Sequence, residues 1–386
     1  MKKLLIIIII SLTIISCKKD VEPINNRISV QPKNSHWHTI WKDLNSDLIS
    51  ITFPNKDTGY VVTYNDIPFN QSLLTTFDGG KAWSVNIINT RPDSTLFSNI
   101  ISSDNCLYGE KYNGVYQPYG NYLHNYPWSN GLFKAIKGLK NWKPILTKLN
   151  SMTTSNIFDS LNIQSIICNY SETNDNNGLF STFDGGINWQ KLLGFKWGQR
   201  ILDLTYISRS TGFIMYFDFS TNLITICITK DGGISWIKSV VNLIIDFDVS
   251  GQIQYLNENV WYLVNKTDVG RYDRIFRTID GGKTWKQVSI FTLPQYNGEL
   301  FNSRLQFNAT GNSRSLKRMW FIDPEIGYYH NRKNIYKTMD GGQTWQTDFT
   351  LMSKPIYANI VGMVTVKTGE VYVITDCGEI IKRDNN

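Results

Sequence analysis

The sequence predicts an all-β chain that folds as a seven-bladed β-propeller, in which the N-terminal strand closes the last blade. Three observations support this prediction. A Thr-x-Asp-Gly-Gly-x-x-Trp octamer recurs five times in the 386 residues, short β-like runs precede each octamer, and long periodic helical segments are missing. Four short strands in each unit of about 50 residues are typical of propeller blades.

The repeat accounts for six units. Its octamers are TFDGGKAW from Thr76, TFDGGINW from Thr182, TKDGGISW from Thr229, TIDGGKTW from Thr278 and TMDGGQTW from Thr338. Their aspartates are separated by 106, 47, 49 and 60 residues, so the first interval spans two periods. A degenerate sixth copy, LFKAIKGLKNWK from Leu132, fills that interval and aligns with IFRTIDGGKTWK from Ile275.

The seventh unit is split between the two ends of the chain. The C-terminal run VGMVTVKTGEVYVITDCGEIIKRD supplies three strands and stops where an octamer is expected. The propeller domain is predicted over 36–386, and near its start Trp41 and Lys42 align with Trp285 and Lys286. The N-terminal segment therefore predicts the missing fourth strand, and closing the ring in this way removes open sheet edges.

Within the octamer, each residue type suits a structural task. Gly adopts positive φ without steric cost, Asp accepts backbone N–H groups of the turn, and the Thr hydroxyl braces the same corner. The Trp covers the hydrophobic gap with a large ring. Structural roles are therefore expected for Asp78, Asp184, Asp231, Asp280 and Asp340, and for Trp83, Trp142, Trp189, Trp236, Trp285 and Trp345.

The octamer resembles the BNR or Asp-box repeat of sialidases, sortilin-type receptors, xyloglucan-active glycosidases and photosystem II assembly/stability factor-like proteins. The Asp-Gly-Gly-x-Thr-Trp motif, which begins at Asp280 and at Asp340, is most similar to the repeat of the last group. This resemblance covers residues 36–386 and implies a propeller whose Asp-boxes are structural and lie away from any active site. It leaves the activity open, because these families share the repeat and differ in function.

The first 17 residues are typical of a bacterial lipoprotein signal. Lys2 and Lys3 precede an apolar segment from Leu4 to Ile15, which is shorter than the ~20 residues of a membrane-spanning helix. The following Ser16-Cys17 completes a box that resembles a lipoprotein cleavage site, in which Cys17 is acylated. An ordinary signal peptide is the alternative.

Two features after Cys17 bear on localisation. Lys18, rather than Asp, follows the cysteine, which in such lipoproteins implies the outer membrane, facing the periplasm or the cell surface. Residues 18–35 are polar, contain two Pro and predict a flexible tether with a reach of ~23 Å. The membrane is therefore one expected partner, reached through the lipid anchor.

Charge and cysteine content exclude several classes of protein. The net charge is +7, or +5 once Lys2 and Lys3 leave with the signal. The sequence contains no run of five like charges, so its charge does not support nucleic-acid binding. The remaining cysteines lie far apart in apolar strand-like runs, which favours buried free thiols and leaves a Cys106–Cys168 bridge open. They are Cys106, Cys168, Cys227 and Cys377.

Motifs of nucleotide sites, hydrolase elbows and common zinc sites are missing from the sequence, so we expect no cofactor and no metal. His36 and His38 are expected to be solvated histidines of the tether rather than metal ligands. The segments Asp246-x-Asp248 and Asn174–Asn177 predict turns rather than calcium sites.

Glycoside hydrolysis is the enzymatic alternative to pure binding. The resemblance to sialidases is incomplete, because Arg91-Pro92 lacks the Ile of the Arg-Ile-Pro motif and follows the first octamer instead of preceding it. A generic glycosidase needs two carboxylates about 5–10 Å apart in a cleft. Candidates for such a pair are Asp66, Glu110, Asp203 and Asp376.

Two segments depart from the repeat. Residues 110–128, EKYNGVYQPYGNYLHNYPW, lie between the second and third strands of blade two, and residues 291–316 lie between blades five and six. In a propeller both kinds of connection reach the face opposite the octamers, where we predict a binding face. Its candidate residues are Tyr112, Tyr116, Tyr119, Tyr122, Tyr126, Trp128, Arg304 and Arg314.

The predicted function is non-enzymatic binding or scaffolding, and the resemblance to assembly/stability factors implies a role in the assembly of an envelope complex. The expected partner is another envelope protein or a glycan. Glycan binding or cleavage by a propeller of the sialidase or xyloglucanase type is the alternative function. For the aromatic segment itself, the alternative is a loop that packs on its own blade.

Overall fold

Seven antiparallel sheets of four strands each follow one another along the chain. The computed structural model describes residues 36–66, 69–90, 95–103, 106–113, 130–136, 142–149, 152–167, 177–196, 198–241, 249–267, 272–292, 318–352, 358–366 and 368–384. We number the sheets as blades 1 to 7 in chain order and label the strands of each blade A to D.

The strands of each blade pair in chain order, except in blade 7. Blades 1 to 3 contain β2 (Asp47–Thr52), β3 (Gly59–Asp66), β4 (Phe69–Thr76), β5 (Ser84–Thr90); β6 (Thr95–Ser103), β7 (Cys106–Asn113), β8 (Asn130–Ile136), β9 (Lys143–Leu149); and β10 (Met152–Ile157), β11 (Ile163–Ile167), β12 (Gly178–Thr182), β13 (Gln190–Gly194). Blades 4 to 6 contain β14 (Gln199–Tyr206), β15 (Gly212–Asp218), β16 (Leu223–Thr229), β17 (Ile237–Val241); β18 (Val249–Tyr255), β19 (Trp261–Thr267), β20 (Tyr272–Thr278), β21 (Lys286–Thr292); and β22 (Met319–Phe321), β23 (Gly327–His330), β24 (Asn334–Thr338), β25 (Gln346–Thr350). Blade 7 contains β26 (Ile360–Thr365), β27 (Val371–Thr375), β28 (Glu379–Arg383) and, as its outermost strand, β1 (Trp37–Lys42).

The hydrophobic core lies between blades. A strands of neighbouring blades contact each other and so surround the axis. Stacked rings join blade to blade: the Tyr262 and Phe321 centroids are 3.6 Å apart, and those of Phe53 and Tyr372 are 3.7 Å apart. B strands are buried on both faces because each blade is covered by two others, which explains why β15 contains the unbroken apolar run GFIMYF before Asp218. The predicted seven-bladed propeller is confirmed.

The predicted closure of blade 7 by the N-terminal strand is also confirmed, but the aligned tryptophan is wrong. β1 pairs antiparallel with β28, and Trp37 lies opposite Arg383 at the start of β1. Trp37, rather than Trp41, therefore takes the place that a repeat tryptophan has at the start of strand D. Its ring packs on Phe349 of blade 6 at 5.2 Å, and its Nε1 donates to Asp348 at 2.8 Å.

A spacing of three residues explains this register. Ile145 and Leu192 lie three residues after Trp142 and Trp189, and each packs against a glycine in the Asp-Gly-Gly turn of the next blade. Ile40 lies three residues after Trp37 and packs against Gly80 in the same way. The alignment on Trp41 matched a Trp-Lys pair and missed this packing relation.

Hydrogen bonds define the two faces of the propeller. In blades 1, 3, 4, 5 and 6, the first glycine of the Asp-Gly-Gly turn donates its N–H to a carbonyl of the A–B turn in the same blade at 2.8–3.0 Å. The A–B and C–D turns therefore share one side, which we call the turn face. The B–C turns and D–A connections occupy the other side, which we call the loop face.

Candidate binding face

The Asp-Gly-Gly turns are hydrogen-bonded in the same way in all five full octamers. The Thr hydroxyl donates to the Asp carboxylate at 2.7–2.8 Å and accepts the N–H of the second glycine at 2.8–3.0 Å. The same Asp oxygen accepts an N–H four residues later at 2.8–3.0 Å. Both glycines have φ between 70° and 100°, where a side chain would be strained.

These bonds favour the ionised carboxylate. At Asp280, the hydroxyl of Thr284, its backbone N–H and the hydroxyl of Thr278 hold the pKa at about 2, below the ordinary value of 3.8. The pKa of Asp184, Asp231 and Asp340 is also about 2. A carboxylate held ionised by turn donors is poorly suited to general acid chemistry, because it has no proton to give near neutral pH.

The repeat tryptophans hold neighbouring parts of the fold together. Trp345 donates its Nε1 to the Gly342 carbonyl at 3.0 Å and to the Ser289 hydroxyl of blade 5 at 2.7 Å. Trp142, at the degenerate sixth copy, packs on Phe97 at 4.6 Å, although residues 137–141 of its turn lie outside the described residues. Both contacts are structural.

The two segments that depart from the repeat begin and end on the loop face. The first connects Asn113 of β7 with Asn130 of β8, a B–C connection, and the second connects Thr292 of β21 with Met319 of β22, a D–A connection. Tyr112 lies in β7, but its side chain and all of Tyr116, Tyr119, Tyr122, Tyr126, Trp128, Arg304 and Arg314 fall outside the described residues. The strand order thus confirms that the ends of both connections lie on the face opposite the octamers, whereas binding at this face and the candidate residues stay a prediction.

Exposed apolar side chains on the loop face add candidates that the sequence did not single out. Leu44 and Met352 lie in D–A connections, Phe219 lies in the B–C turn of blade 4, and Tyr272 begins β20. Between 42% and 64% of each side chain is exposed. They belong to no repeat motif, and exposure depends on where the neighbouring blades lie, so the sequence carries no signal for them.

A buried ion pair lies on the same face between blades 5 and 6. The guanidinium of Arg318 donates to Asp273 at 2.7 Å, and the Tyr329 hydroxyl donates to the same carboxylate oxygen at 2.8 Å. Asp273 is fully buried, and burial raises the pKa of Tyr329 well above its usual range. This network fixes the start of β22, where the second long connection ends.

A second polar cluster joins the D–A connection between blades 6 and 7 to the B–C turns of both blades. Asn359 donates its backbone N–H and its amide to Asp376 at 2.6 and 2.8 Å, and Lys333 donates to the Ala358 carbonyl. Burial raises the pKa of Asp376 and lowers that of Lys333. Cys377 lies in this turn and is only half-buried, so its predicted strand position is wrong.

The carboxylates considered as a glycosidase pair accept hydrogen bonds from different blades. Glu110 accepts the Ser155 N–H of blade 3 at 2.7 Å, and Asp203 accepts the Ile253 N–H of blade 5 at 3.1 Å. Asp376 is bound to Asn359 as above, and the side chain of Asp66 is not described. Each described candidate therefore stabilises a strand or a turn in its own position.

The remaining sequence predictions have mixed outcomes. His38 belongs to β1 and lies 3.3 Å from Asp384, so its assignment to the tether is wrong. Cys106 and Cys227 are free and buried, whereas Cys168, Asp246 and Asp248 fall in undescribed segments. Within the described ranges, neither a group of three metal-ligating side chains nor a helix long and apolar enough to cross a membrane is found.

Comparison with known proteins identifies the fold. No protein-family model and no curated protein matches the sequence. Among solved structures, YCF48 bound to D1 peptide matches with a TM-score of 0.59 and 14% identity, covering 92% of this chain and 98% of that one. YCF48 is a propeller of the same size. The match shows a shared fold rather than a shared activity.

Other matches include proteins of different function. The extracellular domain of a one-component system from B. thetaiotaomicron has a TM-score of 0.55 and 10% identity, over 91% of this chain and 40% of that chain. Oligogalacturonate lyase from Vibrio parahaemolyticus has a TM-score of 0.51 and 9% identity, over 91% and 94%. Two sialidases match with TM-scores of only 0.41 and therefore bear on no argument about activity.

Proposed function

We propose that this chain is a lipid-anchored envelope propeller that binds a polypeptide segment of another envelope protein on its loop face, without transforming it. The observation that carries the proposal is the strand order. It places both ends of each non-repeating segment on the face opposite the Asp-Gly-Gly turns. Loops held on a rigid scaffold are where binding residues collect.

The chemistry of the described loop face supports binding over catalysis. Asp273 pairs with Arg318, and Asp376 is held by Asn359, so each of these carboxylates stabilises a junction between blades. Exposed apolar side chains, Phe219 and Met352 among them, offer the kind of surface that a polypeptide covers. That YCF48, a propeller of the same size, was captured with a peptide supports a polypeptide as the ligand class.

Glycan binding is the second candidate function. It is favoured by the six aromatic residues at positions 112–128, since aromatic rings are apolar platforms with polar edges that suit sugars as well as proteins. Residues on this segment are therefore expected to matter for either ligand, and only the choice of ligand separates the two functions.

The test uses the mature chain immobilised through its lipid on vesicles and probed with arrays of envelope-protein peptides and of glycans. Replacing Tyr116, Tyr119 and Tyr122 with Ala should weaken peptide capture at least about tenfold, the effect of losing interface hot spots, while the melting temperature stays unchanged. The matched control replaces Phe77 and Phe183 with Ala, two exposed aromatic residues of the Asp-Gly-Gly turns on the opposite face, and should leave capture unchanged. Capture of glycans alone, or of neither ligand, would contradict polypeptide binding.

The anchor has its own test. A Cys17→Ser chain should leave the detergent phase and the membrane pellet, because it loses the acyl chains that hold the protein on the bilayer. A substituted chain that still pellets with membranes would refute lipidation.

A further inference from the structure

The turn face carries a ring of exposed apolar side chains at one position of the repeat. The residue between the Thr and Asp positions of the repeat, which Ala135 and Lys137 occupy in the degenerate copy, is apolar in five of the six copies, and 51–69% of each of these side chains is exposed. We call these residues the apolar rim: Phe77, Ile136, Phe183, Ile279 and Met339. In the remaining copy, the full octamer of blade 4, the position is Lys230, and Ile234 follows the same turn with 82% exposure.

The geometry of the turn explains why these side chains point outward. In the full octamers the Thr hydroxyl bonds the Asp carboxylate across the intervening residue, so these two side chains lie on one side of the turn and the side chain between them lies on the other, facing solvent. Stability of the turn places no demand on that residue. Scattered exposed apolar residues need no explanation, but the same choice at equivalent points of five blades does.

Equivalent points of a propeller lie close to one plane around its axis. The rim therefore presents its apolar side chains to a flat surface. Lysines accompany them at the same turns, since Lys81 and Lys283 follow the Gly-Gly pair of blades 1 and 5 and are exposed. Apolar side chains flanked by lysines are the pattern of proteins that lie in the interface of an anionic bilayer.

The chain enters the propeller on this same face. His36, the first described residue, precedes β1 and accepts the Asp384 N–H at 3.0 Å beyond the end of β28, on the side of the C–D turns. The predicted tether of residues 18–35, with a reach of ~23 Å, therefore joins the fold at the turn face. A lipid at Cys17 would therefore attach to the propeller at its turn face rather than at its loop face.

We propose that the apolar rim rests in the membrane interface, so that the propeller lies with its turn face on the bilayer and its loop face directed away. This inference rests on the proposed anchor at Cys17 and is independent of polypeptide binding. It gives the loop face unobstructed access to a partner in the aqueous space.

Acetylation of lysines by a membrane-impermeant reagent tests the orientation. The full lipidated chain is bound to vesicles of phosphatidylethanolamine and phosphatidylglycerol, and modification is followed by mass spectrometry. Lys81, Lys230 and Lys283 should react about tenfold more slowly than Lys196, an exposed lysine in the D–A connection of blade 3. Equal rates in pelleted protein overturn the inference, and so does protein that stays in the supernatant.

A pair of matched variants separates the rim from general hydrophobicity. The rim variant should restore equal rates; it combines Phe77→Ser, Phe183→Ser, Ile279→Ser and Met339→Ser. The control removes four exposed apolar residues of the outer strands and should keep the protection; it combines Val85→Ser, Ile87→Ser, Ile237→Ser and Ile290→Ser. Loss of protection in both variants overturns the inference.

Two further measurements separate membrane contact from self-association and from polypeptide binding. Protection that rises with protein concentration in the absence of vesicles identifies a second copy as the occupant and overturns the membrane assignment. The rim variant should capture polypeptide as well as the parent does. Loss of polypeptide capture in a parent chain whose rim is protected refutes the proposed function alone.

Discussion

Replacing Trp37 with Ala tests the closure of the ring where the two ends of the chain pair in blade 7. Only 2% of this side chain is accessible, and it packs on Phe349 and donates to Asp348. Truncating a buried tryptophan costs about 3–5 kcal/mol in free energy of unfolding. Asp348 keeps its bond from Arg383 at 2.9 Å, so the ion pair should survive the substitution.

The matched variant is Trp41→Ala, because the sequence alignment assigns Trp41 to the position that the structure gives to Trp37. Trp41 is half-buried against blade 1, so its loss should cost about 1–2 kcal/mol, in proportion to the smaller area covered. For a domain of this length the unfolding entropy is about 0.7 kcal/mol/K, so a loss of about 4 kcal/mol lowers the melting temperature by about 5 °C.

Calorimetry of the two variants beside the parent decides between them. We expect a decrease of about 5 °C for Trp37→Ala and of about 2 °C for Trp41→Ala. Equal shifts, or a larger shift for Trp41→Ala, would refute the register derived from Ile40 and Gly80. A Trp37→Phe variant should retain most of the packing and lose chiefly the hydrogen bond, which contributes about 1 kcal/mol.

Three further predictions follow from single groups. Because the pKa of Asp280 is about 2 in the folded chain and 3.8 ordinarily, its stabilising contribution is complete above pH 3.8 and is lost as the pH falls through 2. The melting temperatures of the parent and Asp280→Asn should therefore converge over that window, and parallel curves would contradict the assigned bonds. Gly378→Ala should be more destabilising in urea titrations than Gly198→Ala. Both glycines have positive φ, but the new carbon at Gly378 would lie 1.8 Å from the Asp43 carbonyl oxygen, and the one at Gly198 would enter open space. Cys227, whose pKa is raised to about 11 by burial, should resist alkylation at mildly alkaline pH in the native protein and react once unfolded; native labelling would show that its thiol is accessible.

The repeat by itself determined the architecture of this protein. Thr, Asp, Gly and Trp at fixed spacing specify a turn, because each residue type satisfies a hydrogen bond or a φ angle within that turn. Such requirements involve residues that are adjacent in the sequence, so they can be recognised there. Six copies and two unfinished ends then predict seven blades. The faces of the propeller follow from strand order alone, which is why the location of both long connections could be predicted without coordinates.

Only the tertiary structure decided which residues meet across blades. Trp37 rather than Trp41 closes the ring because its partners, Phe349 and Asp348, belong to another blade more than 300 residues along the chain. Burial of Asp273 and Asp376 and exposure of Phe219 likewise depend on neighbouring blades. Such contacts join distant segments, and no pattern within one segment encodes its distance to another. The residues of the apolar rim are visible in the sequence as a position of the repeat. Only the structure shows that their side chains are exposed and that the tether joins the same face.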